Sequence, residues 1–213
     1  MKQRLTITKA VVFLSIFFGY LTSSAQADFD TVCSGAEEFY KVIKTEGSKY
    51  TWVISSGGTA TYGVDTQNDS IRVKWKVTDK PASEFVKVVE TNKYNRQGDT
   101  ITLNVLVAPV PTAVISGSDT LFDGNTGTSK IKISLTGTAP WSIEYNDGKS
   151  NIAIKDIQSS PYTLETRSLS NPPEIHKFTL VSVKNESGCS GEVSGVAEIT
   201  VSPPVKTSKI IHN

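Results

Sequence analysis

Histidine, cysteine and methionine are almost missing from this chain. Its 213 residues include two histidines, two cysteines and one methionine, the initiator. That scarcity excludes most site chemistry. A hydrolase needs a nucleophile, a base and an orienting group within reach. His176 and His212 are the only histidines available as bases, and His176 reads as a strand-edge residue beside Asn171–Pro172–Pro173. No G-x-S-x-G elbow occurs, nor a glycine-rich phosphate loop opening a helix. Cys33 and Cys189 lack histidine partners at zinc spacing. Asp123, Asp147 and Asp156 do not form a D-x-D-x-D-G calcium run, and Asp147 reads as a turn residue. The expectation is a non-enzymatic chain with no metal, no cofactor and no small-molecule substrate.

Long apolar runs are also scarce. The one candidate, Ala10–Leu21, follows Lys2, Arg4 and Lys9 and precedes Ala25–Gln26–Ala27. A basic start, a short apolar stretch and an A-x-A site are the three parts of a secretory signal peptide. A run of 12 residues is too short for a helical span, which needs about 20. Residues 1–27 are therefore expected to be removed on export. The remaining 186 residues carry 19 Lys and Arg against 21 Asp and Glu, a net charge of −2. Bulk charge thus argues against a nucleic-acid partner. In an oxidising compartment a Cys33–Cys189 bridge is allowed, but its geometry cannot be read from spacing.

Helical periodicity is absent, and period-two alternation takes its place. Trp141, Ile143 and Tyr145 share one face, with Ser142 and Glu144 on the other, and Asn146–Asp147–Gly148 closes the segment as a turn. Tyr50, Trp52 and Ile54 repeat the pattern ahead of Gly57–Gly58. Ile71, Val73, Trp75 and Val77 alternate with basic residues, and so do Ile101, Leu103, Val105 and Val107 with their neighbours. Arg72, Lys74 and Lys76 read as a solvated face or a protected edge. Further strands are expected at Phe39–Ile43, Thr59–Val64, Phe85–Val89, Ala113–Ser116, Ile131–Leu135, Ile152–Ile154, Tyr162–Leu164, Lys177–Lys184 and Val196–Val201. Gly117–Ser129 reads as loop.

Short strands separated by Gly, Pro and Asn turns predict antiparallel β-sandwiches. Pro109–Val110–Pro111 is a short, stiff boundary. The expected division is a signal peptide (1–27), a first sandwich (28–108), a second (109–202) and a tail (203–213). The expected fold class is all-β, with two tandem antiparallel β-sandwiches after the signal peptide.

The first unit resembles the PKD-like modules of exported Bacteroidetes proteins in Cys33–Ser34–Gly35, Tyr50–Thr51–Trp52–Val53, Gly57–Gly58 and Ile71–Arg72–Val73–Lys74–Trp75. The second resembles Ig-like modules of the same surface proteins in Leu135–Trp141, Ser159–Tyr162, Phe178–Val183 and Gly188–Gly191. Such modules often hold two cysteines each, whereas here each keeps one. A short two-module exported chain with this tail is similar to PorA-like components associated with type IX secretion. That resemblance implies a protein partner at the outer membrane or cell surface. Asp30–Thr31, Asp69–Ser70, Asp99–Thr100 and Asp119–Thr120 resemble Bacteroidetes O-glycosylation sites, and they equally suit loop-to-strand junctions.

The tail carries the sequence's best binding candidate. Pro203–Pro204 ends the last strand and favours an extended continuation. Lys206, Thr207, Ser208, Lys209, Ile210, Ile211, His212 and Asn213 then place two isoleucines on a polar segment. Such a segment suits addition to a partner's sheet edge or groove, or it is a frayed end. The second functional reading is an adhesin whose Trp52 and Trp141 stack on glycan or matrix if they are exposed.

Overall fold

The computed structural model describes residues 29–62, 68–122, 127–169, 174–203 and 207–208. The signal-peptide segment lies outside them. The described residues are all strand, turn and loop, and they fold as β-sandwiches.

The first set of strands is β1 (Phe29–Cys33), β2 (Glu37–Lys41), β3 (Lys49–Ile54), β4 (Gly58–Tyr62), β5 (Ser70–Trp75), β6 (Ala82–Thr91) and β7 (Ile101–Ala108). They form a four-stranded sheet, β1-β7-β6-β3, facing a three-stranded sheet, β2-β5-β4. Alternation does the sorting. In β5 the side chains of Ile71, Val73 and Trp75 point into the core, while Arg72 and Lys74 face water. Because β5 is central in its sheet, these basic residues form a solvated face and not an edge. The core gathers Tyr50, Trp52, Ile71, Val73, Trp75, Val86, Val105 and Val107 among others. The Trp75 indole N–H donates to the Tyr40 hydroxyl at 3.1 Å, which gives the buried indole its partner.

The second set is β8 (Thr112–Phe122), β9 (Lys130–Leu135), β10 (Trp141–Asn146), β11 (Asn151–Ile157), β12 (Tyr162–Glu165), β13 (Glu174–Asn185), β14 (Glu192–Ser194) and β15 (Ala197–Ser202). The pairing path runs β11-β10-β13-β15-β8-β9-β12, with β14 also on β8. Trp141, Ile143 and Tyr145 of β10 face a second, separate core with Ile115, Ile133, Phe178, Val183 and Ile199. Each fully buried Ile, Val or Phe there contributes about 1.5–3 kcal/mol relative to exposure. β11 pairs back on β10 across the Asn146–Gly148 turn, as the alternation implies.

Several sequence expectations change in three dimensions. Three pairings are parallel, β1 with β7, β14 with β8 and β15 with β8, so the sheets are mixed. Among the described residues a strand the sequence did not suggest, β1, precedes Phe39–Ile43, because it is recruited by the distant β7. Gly117–Phe122, expected as loop, is the second half of β8. Its first half pairs antiparallel with β9, and from Gly117 onward it pairs parallel with β15. Gly117 has φ +145°, a conformation that side-chain-bearing residues rarely adopt, and it turns the strand from one layer to the other. Val77 lies beyond the end of β5 and is 85% exposed. His176 is buried within β13, opposite Ile199 of β15, on a stretch that β10 does not reach, since β10 pairs with β13 only from Thr179 on.

Candidate functional site

The proposed docking tail begins where β15 stops. Ser202 pairs with Phe122 at the far end of β8, and Pro203 follows. Of the eight candidate residues, Thr207 and Ser208 are exposed. Lys206, Lys209, Ile210, Ile211, His212 and Asn213 lie outside the described residues.

Two modules meet at one junction. β7 ends at Ala108 and β8 starts at Thr112, so only Pro109–Val110–Pro111 separates them. Cys33, at the end of β1, is disulfide-bonded to Cys189, with a Cα–Cα distance of 5.6 Å. Asn185 donates from its amide to the Pro109 carbonyl at 2.9 Å, and its Oδ1 accepts from the Cys189 N–H at the same distance. Gly191 packs so tightly that an added Cβ would lie 1.6 Å from the Pro111 carbonyl oxygen. The bridge that spacing merely permitted is therefore made, and it joins the modules beside their covalent linker.

At the other end of the first module the sandwich is open. β2 is the edge of its sheet. The Trp75 N–H donates to the Ala36 carbonyl and the Val42 N–H to that of Asp69. This alternation turns the backbone N–H and C=O groups of Glu37, Phe39 and Lys41 away from β5. On the opposing sheet the described part of β1 pairs with β7 from Asn104 onward, so among the described residues Ile101–Leu103 have no partner on that side. Between these two free edges lies an apolar slot lined by Val42, Trp52, Val86, Val88, Ile101 and Leu103, and its volume is ≈ 160 Å³. It widens into a cleft of ≈ 400 Å³ where Glu90 and Asp99 join Val42 and Ile101. Ile101 is 64% exposed and Leu103 38%, although sequence alternation assigned both to the core. The strand covering Val105 and Val107 does not reach them.

A second concave site lies in the other module. Arg167 Nε donates to Asp147 Oδ2 at 2.8 Å, and the backbone N–H groups of Lys149 and Ser150 donate to Oδ1 at 2.9 and 2.8 Å. Burial alone pushes the Asp147 carboxyl up. The Arg167 guanidinium and the two amides outweigh it and hold the group at about 2. The imidazole of His176 and the carboxylate of Glu174 line the same ≈ 200 Å³ hollow, with Nε2 and Oε2 3.6 Å apart. A carboxylate that already accepts three hydrogen bonds is a poor base, so this cluster clamps the Asn146–Gly148 turn. Among the described residues no group of three or more His, Cys, Asp or Glu side chains is placed to hold a metal.

The sequence found the turn residue Asp147 but not its partner Arg167, 20 positions away. It had no means of finding the slot, because an uncovered edge is a property of pairing. Of the residues that resemble glycosylation sites, Thr31, Thr100 and Thr120 are exposed and Ser70 is half-buried.

No protein-family model matches the chain. No curated protein matches it. Similar solved structures include fibronectin(III)-like modules of Clostridium thermocellum CbhA, at 13% identity and a TM-score of 0.40, covering 89% of this chain and 98% of that one. The titin I-band fragment I67–I69 is 8% identical with a TM-score of 0.43, covering 82% of this chain and 62% of that one. The D00–D0 domain of intimin is 10% identical with a TM-score of 0.37, covering 81% and 93%. Similarity at this level carries no argument about what the chain does.

Proposed function

We propose that the chain is an exported, non-enzymatic binding and spacer protein made of two modules, 28–108 and 109–202, acting at the outer membrane or cell surface. Its tail, Lys206–Asn213, docks on a protein complex there, of the type IX secretion-associated kind that the sequence resembles. One observation carries this reading. A disulfide and a three-residue linker clamp the modules at one junction, and the tail leaves from the pole of the second module farthest from it. That is the geometry of a stiff spacer presenting a terminal segment away from its body. The adhesin reading loses its stacking surface, because Trp52 and Trp141 are only 7% and 6% exposed.

Crosslinked pull-down from native envelopes tests the proposal. The full chain should recover an envelope protein, and a chain lacking Lys206–Asn213 should not. Equal recovery by both would overturn the docking role of the tail.

A further inference from the structure

The slot in the first module and the tail of the second lie at opposite poles. β7 runs from Ile101 at the slot to Ala108 at the junction, about 24 Å at the usual rise of a strand. β8 runs from Thr112 at the junction to Phe122 beside the tail exit, about 33 Å. Among the described residues, the disulfide and hydrogen bonds that cross between the modules all lie at the junction. The two strands together trace about 57 Å from slot to tail exit, and among the described residues no strand of one module runs alongside a strand of the other. Pro203–Ile211 spans nine residues, which reach at most about 32 Å when fully extended. Ile210 and Ile211 therefore fall short of the slot of their own chain. They can reach the slot of another.

We infer that the slot of the first module receives the tail of a second copy, added as a strand along the free edge of β2 so that one of the adjacent Ile210 and Ile211 enters the apolar groove and the other lies on the outer face. The two surfaces match chemically. β2 offers the unpaired backbone groups of Glu37, Phe39 and Lys41, and Ile101 and Leu103 offer uncovered apolar surface. The wider cleft carries Glu90 and Asp99, while the tail carries Lys206 and Lys209 and no acidic residue. Lys41 stands on the opposite rim. Strand addition satisfies an edge that natural sheets otherwise cover or blunt. Because the contact joins different surfaces, its repetition builds a head-to-tail row, or a ring where the rotation between copies closes. The last tail of such a row stays free for the envelope partner.

The inference rests on the tail being a docking segment, but it needs no other protein, so purified chain tests it. Sedimentation of the exported full chain should show mass rising with concentration through dimers to longer species. A chain lacking residues 204–213 should be monomeric, and so should one carrying Ile101→Lys and Leu103→Lys. Mixing the two should give a one-to-one pair and nothing longer, since one intact tail then meets one intact slot. A monomeric full chain at all concentrations, or no pairing in the mixture, would overturn the inference. If the slot variant misfolds, a synthetic peptide of residues 203–213 takes its place. It should shift the Trp52 emission of the tail-deleted chain, and Ile210→Asp with Ile211→Asp should abolish the shift. No shift with the unaltered peptide would overturn the inference. So would strong hydrogen-exchange protection at Thr102 in the tail-deleted monomer, because its amide faces away from β6 and only residues preceding Phe29 would then cover it. A monomeric chain whose tail still recovers an envelope protein would sink self-assembly alone. Self-assembly with unchanged envelope recovery after tail deletion would sink the partner reading alone.

Discussion

Cys33 and Cys189 are 156 positions apart in the chain, and a disulfide holds their Cα atoms 5.6 Å from each other. The bond lies where β7 hands the chain to β8, so it closes a second connection beside Pro109–Val110–Pro111. Each module nevertheless has its own buried cluster. The bridge therefore limits the angle between modules more than it supports either core.

Reduction, or Cys33→Ser with Cys189→Ser, should leave the β signal in circular dichroism intact. It should broaden the distance distribution seen by small-angle X-ray scattering. An unchanged distribution would mean that the linker and the Asn185–Pro109 contact suffice to set the angle.

Gly191→Ala should loosen the same junction while the bridge is still present. The new methyl group would meet the Pro111 carbonyl far inside contact distance, and backbone must move to admit it. The expected loss is about 1–3 kcal/mol, as for overpacked sites in general. Urea denaturation measures it, and a cost near zero would show that the junction gives way freely.

Core and surface apolar residues should separate cleanly. Ile133→Ala, at a fully buried position, should cost about 2–5 kcal/mol. Val77→Ala, at an exposed one, should stay within about 0.5 kcal/mol. Both belong to alternating runs in sequence, so comparable losses in denaturant titration would contradict the assigned burial.

The Asp147–Arg167 pair sets an acid limb for the second module. A carboxyl held at about 2 against an ordinary value of 3.8 binds its proton less readily in the folded state. Its contribution is complete above the unfolded value and fades as pH falls from 3.8 toward about 2. Arg167→Ala should remove much of that slope and cost about 1–3 kcal/mol at neutral pH, because the buried carboxylate loses a donor. Thermal melts across this pH window test it, and identical slopes in both proteins would refute the assignment.

Native tryptophan emission should be blue-shifted and weakly quenched by acrylamide, since Trp52, Trp75 and Trp141 are all buried. Strong quenching of the folded protein by a soluble glycan would restore the adhesin reading.

The sequence by itself determined the strands whose faces differ in polarity. Ile71, Val73 and Trp75, like Trp141, Ile143 and Tyr145, declare their buried face because neighbouring side chains point to opposite sides of a sheet. It also determined the scarcity of catalytic groups. Tertiary structure alone decided which strand lies beside which. The parallel partners of β1 and β15, the layer change at Gly117, the partner of Asp147 and the Cys33–Cys189 bridge all join distant positions. The slot has the same origin: Ile101 and Leu103 alternate as core residues do, yet among the described residues β1 pairs only from Asn104 and leaves them exposed. Alternation shows which way a side chain points, and only the packed sheets show whether anything lies there to meet it.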